Sequence, residues 1–159
     1  VCCRISISRI KAFFNKFSLG KFSYVSVAVQ SLLLQAPKRM VITMDDKMPI
    51  VFEKVYFAAA MNQKYEGGGF MFCPKAVPTD DFLDIIVAEG LSKLKILCLL
   101  PTAFSGKHTR FSGIHVYRCK KAVMESEIPL PFHTDGEPIS LQRRISTSLE
   151  PQKIRFIIS

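Results

Sequence analysis

Residues 62–84, Asn-Gln-Lys-Tyr-Glu-Gly-Gly-Gly-Phe-Met-Phe-Cys-Pro-Lys-Ala-Val-Pro-Thr-Asp-Asp-Phe-Leu-Asp, concentrate the residue types of this chain that could do chemistry. Three of its eight glycines stand together at Gly67, Gly68 and Gly69, and three of its thirteen acids fall within five residues at Asp80, Asp81 and Asp84. A glycine run lets the backbone turn sharply or approach a ligand closely. Carboxylates gathered on one loop suit a hard cation or a phosphate-handling site. A second candidate is Asp135-Gly136-Glu137, between two runs of β character. Asp-Gly is a favoured pair for a two-residue hairpin turn, so a plain turn is the simpler reading. The same turn would also hold Asp135 and Glu137 at a rim, where a carboxylate can take a proton from a hydroxyl nucleophile. That chemistry serves phosphoryl transfer, where most other work is positioning and charge stabilisation. His108 lies in the polar segment Ser105-Gly106-Lys107-His108-Thr109-Arg110 and reads either as a phosphate contact or as a structural histidine. Gly106 reads as the close of a preceding helix.

Short β-like runs must position these residues. Met40–Met44 and Pro49–Phe52 flank Asp45-Asp46-Lys47 as a hairpin, and 54–61 is apolar enough for a strand buried on both faces. Further strands are expected at 83–88, 113–119, 121–125, 130–134, 139–148 and 153–158. Phe22, Val25, Val29, Leu32 and Leu33 recur at helical spacing up to Pro37, which predicts a helix over 21–35. A second helix is expected over 92–104, bent or ended by Pro101. The fold class is mainly β: an antiparallel β-sandwich with one or two helices.

At 159 residues the chain is the length of one domain. No apolar run approaches the about 20 residues that span a bilayer, and the start Val-Cys-Cys-Arg does not read as a signal peptide. The formal charge is +9, and seven basic residues precede the first acid, Asp45, which favours polyanionic partners or simply a solvated face. Five cysteines without a Cys-x-x-Cys pair, and three histidines without ligand spacing, argue against a metal-thiolate site and for a reducing cytoplasmic compartment.

Read in order, Asn62-x-x-x-x-Gly67-Gly68-Gly69, Pro74-x-Ala76-x-x-x-Asp80-x-Phe82-Leu83-Asp84, Gly106-x-His108 and Asp135-Gly136-Glu137 resemble the C-terminal domain of the bacterial diacylglycerol kinase and lipid kinase family, related to sphingosine and ceramide kinases. Leu19-Gly20-Lys21-Phe22-Ser23-Tyr24 extends the likeness, which runs from about Lys11 to the end. The resemblance implies that residues 1–159 form the lipid-facing β-sandwich of an ATP- and magnesium-dependent kinase. An N-terminal nucleotide-binding domain carrying a Gly-Gly-Asp-Gly-Thr loop would be its partner, and that loop is absent from this sequence. ATP would be the co-substrate, bound mainly by that other domain, and the chain alone would be inactive. The substrate would be a lipid alcohol such as diacylglycerol, reached from the cytoplasm at a peripheral membrane surface.

Under the same resemblance, Glu137 or Asp135 is the general base, with Glu137 slightly favoured. Asp80 is a magnesium ligand, flanked by the main-chain carbonyls of Val77 and Phe82. Asn62, Gly67, Gly68 and Gly69 line the cofactor-binding interdomain cleft. The family commonly has glycine where this chain has Asp81, which places an aspartate in a turn suited to positive φ. Two other readings compete: a basic β-rich nucleic-acid-binding module, and a regulatory domain without catalysis. The first lacks the interleaved aromatics of a base-stacking surface, so no nucleic-acid partner is expected.

Overall fold

The structure is a computed structural model that describes residues 34–66, 69–135 and 137–150. The helix expected over 21–35 and the strand at 153–158 fall outside the described residues, apart from the last residues of that helix. Strand β1 (Lys38–Met44) buries Met40, Ile42 and Met44 in alternation, the period of two that a pleated strand imposes. Asp45 and Asp46 follow with φ of 50° and 55°, a pair of left-handed residues that turns the chain into β2 (Ile50–Met61). The Asp45 carboxylate also accepts the main-chain N–H groups of Lys120 and Lys121, which lowers its pKa. The expected runs at 49–52 and 54–61 are one continuous strand.

Leu83–Glu89 forms β3, with six consecutive buried residues from Leu83 to Ala88, because its two faces are covered by different parts of the chain. Helix α1 (Lys93–Ala103) is capped by Ser92, whose side chain accepts the Lys95 N–H, and Pro101 sits in its last turn. A 3₁₀ turn (Lys107–Arg110) leads to β4 (Ile114–Cys119) and then β5 (Lys121–Thr134) and β6 (Glu137–Ser148). The expected runs at 121–125 and 130–134 are joined in β5. Its pairing with β6 shifts register on either side of Leu130, between the donor-less Pro129 and Pro131.

All six strands join one antiparallel sheet in the order β4-β3-β2-β1-β5-β6. That order forces a curl. In a flat sheet β4 and β5 would stand about 19 Å apart, four steps of about 4.8 Å. Lys120 alone separates Cys119 from Lys121, which limits those two Cα atoms to roughly 7 Å. The sheet therefore rolls until its β4 side returns towards β5, and residues of β1 to β5 meet in one core of Met40, Ile42, Phe52, Val55, Ile85, Val87, Cys119 and Met124. One rolled sheet makes the layered, sandwich-like interior expected from the sequence. The opposite face is covered by residues 70–76 over Ala59, Met61 and Ile86, and by α1 over Ala88.

Candidate functional site

Three segments distant in sequence reach the same end of the sheet. Met61, the last residue of β2, pairs with Asp84 near the start of β3, so Asn62 and the Asp80 turn leave the sheet side by side. Strand β5 passes Ser126, the partner of Met40, and climbs to Thr134 at that same end. The β5–β6 hairpin therefore closes there too, with Thr134 paired to Glu137.

Glycine governs the first segment. Glu66 bridges Phe70, its N–H donating 2.9 Å to the Phe70 carbonyl, which draws together the two residues that flank the glycine run. Gly69 has φ of 93°, and a Cβ there would meet nothing within 4 Å. Conformation, not packing, calls for glycine at that point, and the space beside it is open. Asn62 is exposed. Beyond the run, Phe70 stacks on Phe104 at 4.5 Å between ring centroids and Met71 N–H donates to the Ala103 carbonyl, clamping the segment to the end of α1. Gly106 makes that clamp close: at φ of 70° its would-be Cβ lies 2.4 Å from Pro74. Cys73 is buried beneath, and burial pushes its thiol up to about 12, which leaves no nucleophile at neutral pH.

The acidic segment is a self-satisfied turn. The Asp80 N–H donates to the Val77 carbonyl at 3.3 Å, and the Asp80 carboxylate accepts the Phe82 N–H at 3.0 Å. Its other oxygen is ion-paired with Arg118 of β4, whose guanidinium stacks 4.4 Å from the centre of the Phe82 ring. Asp81 has φ of 62°, so it occupies the left-handed conformation expected of a glycine position. Asp84 is buried on β3, and burial raises its pKa, with Arg118 pulling down and Asp80 adding to the rise. Among the described residues no three His, Cys, Asp or Glu side chains converge. A lone carboxylate suits magnesium in donor type, since magnesium takes few protein ligands and keeps waters, but here both Asp80 oxygens already have partners. Arg118 holds that carboxylate in the arrangement seen.

The third segment presents Asp135, at φ of 48°, and Glu137, both exposed. His133, two residues earlier and buried, places its Nε2 3.5 Å from Oε1 of Glu66. Glu66 thus opens the glycine turn while His133 leads into the Asp135 turn, and their contact joins the two. Sequence reading missed Glu66, His133 and Arg118, because each is defined by a partner far along the chain. His108 packs inward under Phe72, edge-on at 6.2 Å, and burial lowers its pKa against an opposing pull from the Phe72 main chain. It serves here as a packing residue.

Below this end lies a fork. Strand β1 begins only at Lys38, opposite Val55, while β2 and β5 both run further. The gap holds a cavity of about 300 Å³, lined mainly by apolar side chains including Leu34, Met40, Val55, Phe57 and Leu130. That is the lower end of the volume range of ligand pockets.

The family described as the YegS C-terminal NAD kinase beta sandwich-like domain matches residues 8–158. YtlR of Bacillus subtilis (strain 168) is 34% identical over 108 residues, 65% of this chain and 34% of that protein. A protein of Mycobacterium tuberculosis named diacylglycerol kinase is 28% identical over 134 residues, 77% of this chain and 43% of that protein. The crystal structure of a diacylglycerol kinase from Bacillus anthracis str. Sterne superimposes with a TM-score of 0.63 at 19% identity, over 90% of this chain and 46% of the other. At that identity the likeness speaks for the fold. The chain spans less than half the length of these relatives. A family match along almost its whole length, with the rolled antiparallel sheet and the ordered motifs, shows that the chain belongs to the C-terminal domains of the bacterial diacylglycerol kinase and lipid kinase family.

Proposed function

We propose that this chain is the lipid-facing half of an ATP- and magnesium-dependent kinase that phosphorylates a lipid hydroxyl such as that of diacylglycerol, and that it contributes the general base. One observation carries the reading: the exposed Asp135 and Glu137 turn shares an end of the sheet with the open glycine turn, joined through His133 and Glu66. An apolar cavity beneath the same end offers room for hydrocarbon.

In this mechanism a lipid hydroxyl hydrogen-bonds to Glu137 or Asp135. The carboxylate takes the proton as the oxygen attacks the γ-phosphorus of ATP, a new P–O bond forms, and the bond to ADP breaks. Open space beside Gly69 leaves room for the other domain and its nucleotide, and Asn62 is exposed. Magnesium, when bound, would supply positive charge near the transferring phosphoryl group or hold the loop at Asp80, Val77 and Phe82. The protein would act at the cytoplasmic surface of a membrane.

The test uses the whole protein with ATP, magnesium and a series of lipid alcohols. Glu137→Gln or Asp135→Asn is expected to lower kcat by about 10²–10⁴-fold while the thermal melting curve stays in place. Wild-type turnover in both variants would sink the base assignment. Failure to phosphorylate any lipid alcohol would sink the kinase reading itself.

A further inference from the structure

Helix α1 is apolar on both sides, yet among the described residues only one side is covered. Leu99 and Ala103 face the sheet and are buried. Leu94, Leu97, Cys98, Pro101 and Phe104 recur at helical spacing on the opposite side and are all exposed, Leu94 to 71% of its surface. A helix apolar all round is normally enclosed, so an outward apolar stripe is unusual. Lys93 and Lys95 stand on either flank of the stripe, and exposed Lys107, Arg110 and Phe111 follow beyond its far end. No acid occurs between Glu89 and Glu125. The two lysines also sit in the first turn, where the helix dipole disfavours cations, and the last turn holds no base. The Lys95 ammonium donates to the Ser112 carbonyl at 3.2 Å, which offsets part of that cost and holds its charge beside the stripe.

We infer that the outward face of α1 is where this domain rests on an anionic lipid surface. The apolar stripe enters the headgroup layer while the flanking lysines and the 3₁₀-turn cations meet lipid phosphates, the arrangement of a helix lying in the interface plane. Eleven residues are too few to cross a bilayer, and no described helix is long and apolar enough to do so. Charge sets the choice of occupant: the segment 90–124 that carries this face includes Lys93, Lys95, Lys107 and Arg110 and no acid, a balance that matches anionic lipid. The orientation also serves the site. Phe104, at the end of the stripe, stacks on Phe70 beside the glycine turn, so a lipid hydroxyl would reach the acids from the same surface. The inference rests on the lipid-kinase reading for its purpose, but its test is independent of catalysis.

The experiment labels Cys98 with an environment-sensitive fluorophore in the whole protein, with Cys2 and Cys3 replaced by serine; Cys73 and Cys119 are buried. Phosphatidylcholine vesicles are added with or without phosphatidylglycerol. A blue shift with the anionic vesicles alone, weakened by salt, is expected. Leu94→Glu should reduce vesicle affinity at least about tenfold, and Lys93→Glu should weaken it independently. Turnover of a water-soluble short-chain diacylglycerol should stay unchanged in both. An unmoved Cys98 signal, or wild-type vesicle binding by both variants, overturns the inference. So does a label already shielded before vesicles are added, because a second copy or the rest of the protein then covers the face. Vesicle binding without phosphorylation of any lipid alcohol leaves this face standing and removes the kinase reading.

Discussion

At the Asp80 turn, Arg118 supplies the positive charge that the acidic segment needs in the arrangement seen. It neutralises Asp80, lies near buried Asp84 and packs on Phe82, so a metal ion would compete with it for Asp80. The pair is partly exposed, with Arg118 half open to solvent, and is worth about 1 kcal/mol after screening. Arg118→Gln is therefore expected to lower thermal stability by about that amount. Millimolar magnesium should restore the loss in the variant and change the wild type little, as read by melting curves with magnesium or EDTA. Equal magnesium responses in the two proteins would count against competition at Asp80. The residue types here were legible in the sequence, as was the strained position of Asp81. The guanidinium partner was not, because β4 lies 38 residues beyond Asp80.

Among the elements, the β5–β6 hairpin and the glycine turn meet through the side-chain contact of His133 with Glu66. Glu66→Gln weakens that contact with little change in volume. The expected result is faster amide exchange at Thr134 and Glu137 and a fall in kcat of about tenfold, with lipid KM unchanged. Unaltered exchange and turnover would show that the hairpin holds itself. The 3₁₀ turn makes a different prediction through His108. Burial lowers the folded pKa of this group below its ordinary value near 6.5. Between the two values the unfolded chain binds more protons than the folded one, so the contribution of His108 is present above about pH 6.5 and is lost as pH falls. His108→Leu should flatten that acid limb in melting temperature against pH. A limb of unchanged slope would assign it to other groups. Periodicity made most of these elements readable. It misjudged their continuity where β2 runs unbroken through Glu53 and where β5 absorbs two prolines by shifting register, because neighbouring strands, not local composition, decide where a strand stops.

For the whole molecule, sheet direction and curl explain why distant motifs lie at one end. The one-residue link at Lys120 is possible only if the sheet curls. The curl encloses one core, and the short β1 leaves the fork between β2 and β5. This chain spans less than half of its relatives and lacks the Gly-Gly-Asp-Gly-Thr loop, so on the proposed reading it cannot hold ATP by itself. The 159-residue chain alone is expected to give no turnover with ATP, magnesium and lipid, and to regain it when joined to a nucleotide-binding half. Turnover by the chain alone would place the nucleotide site within it and overturn that division of labour.

From the sequence alone come the mainly antiparallel β class, the helix at 92–104, the hairpin at Asp45-Asp46, the family and the candidate acids. These depend on local periodicity, turn chemistry and motif order, all of which are written along the chain. Tertiary structure alone decided that the glycine turn and the Asp135 turn meet through Glu66 and His133, that Arg118 holds Asp80, and that α1 turns an apolar stripe to solvent. Each of these is a relation between residues brought together by sheet register and curl, and no local pattern records its partner.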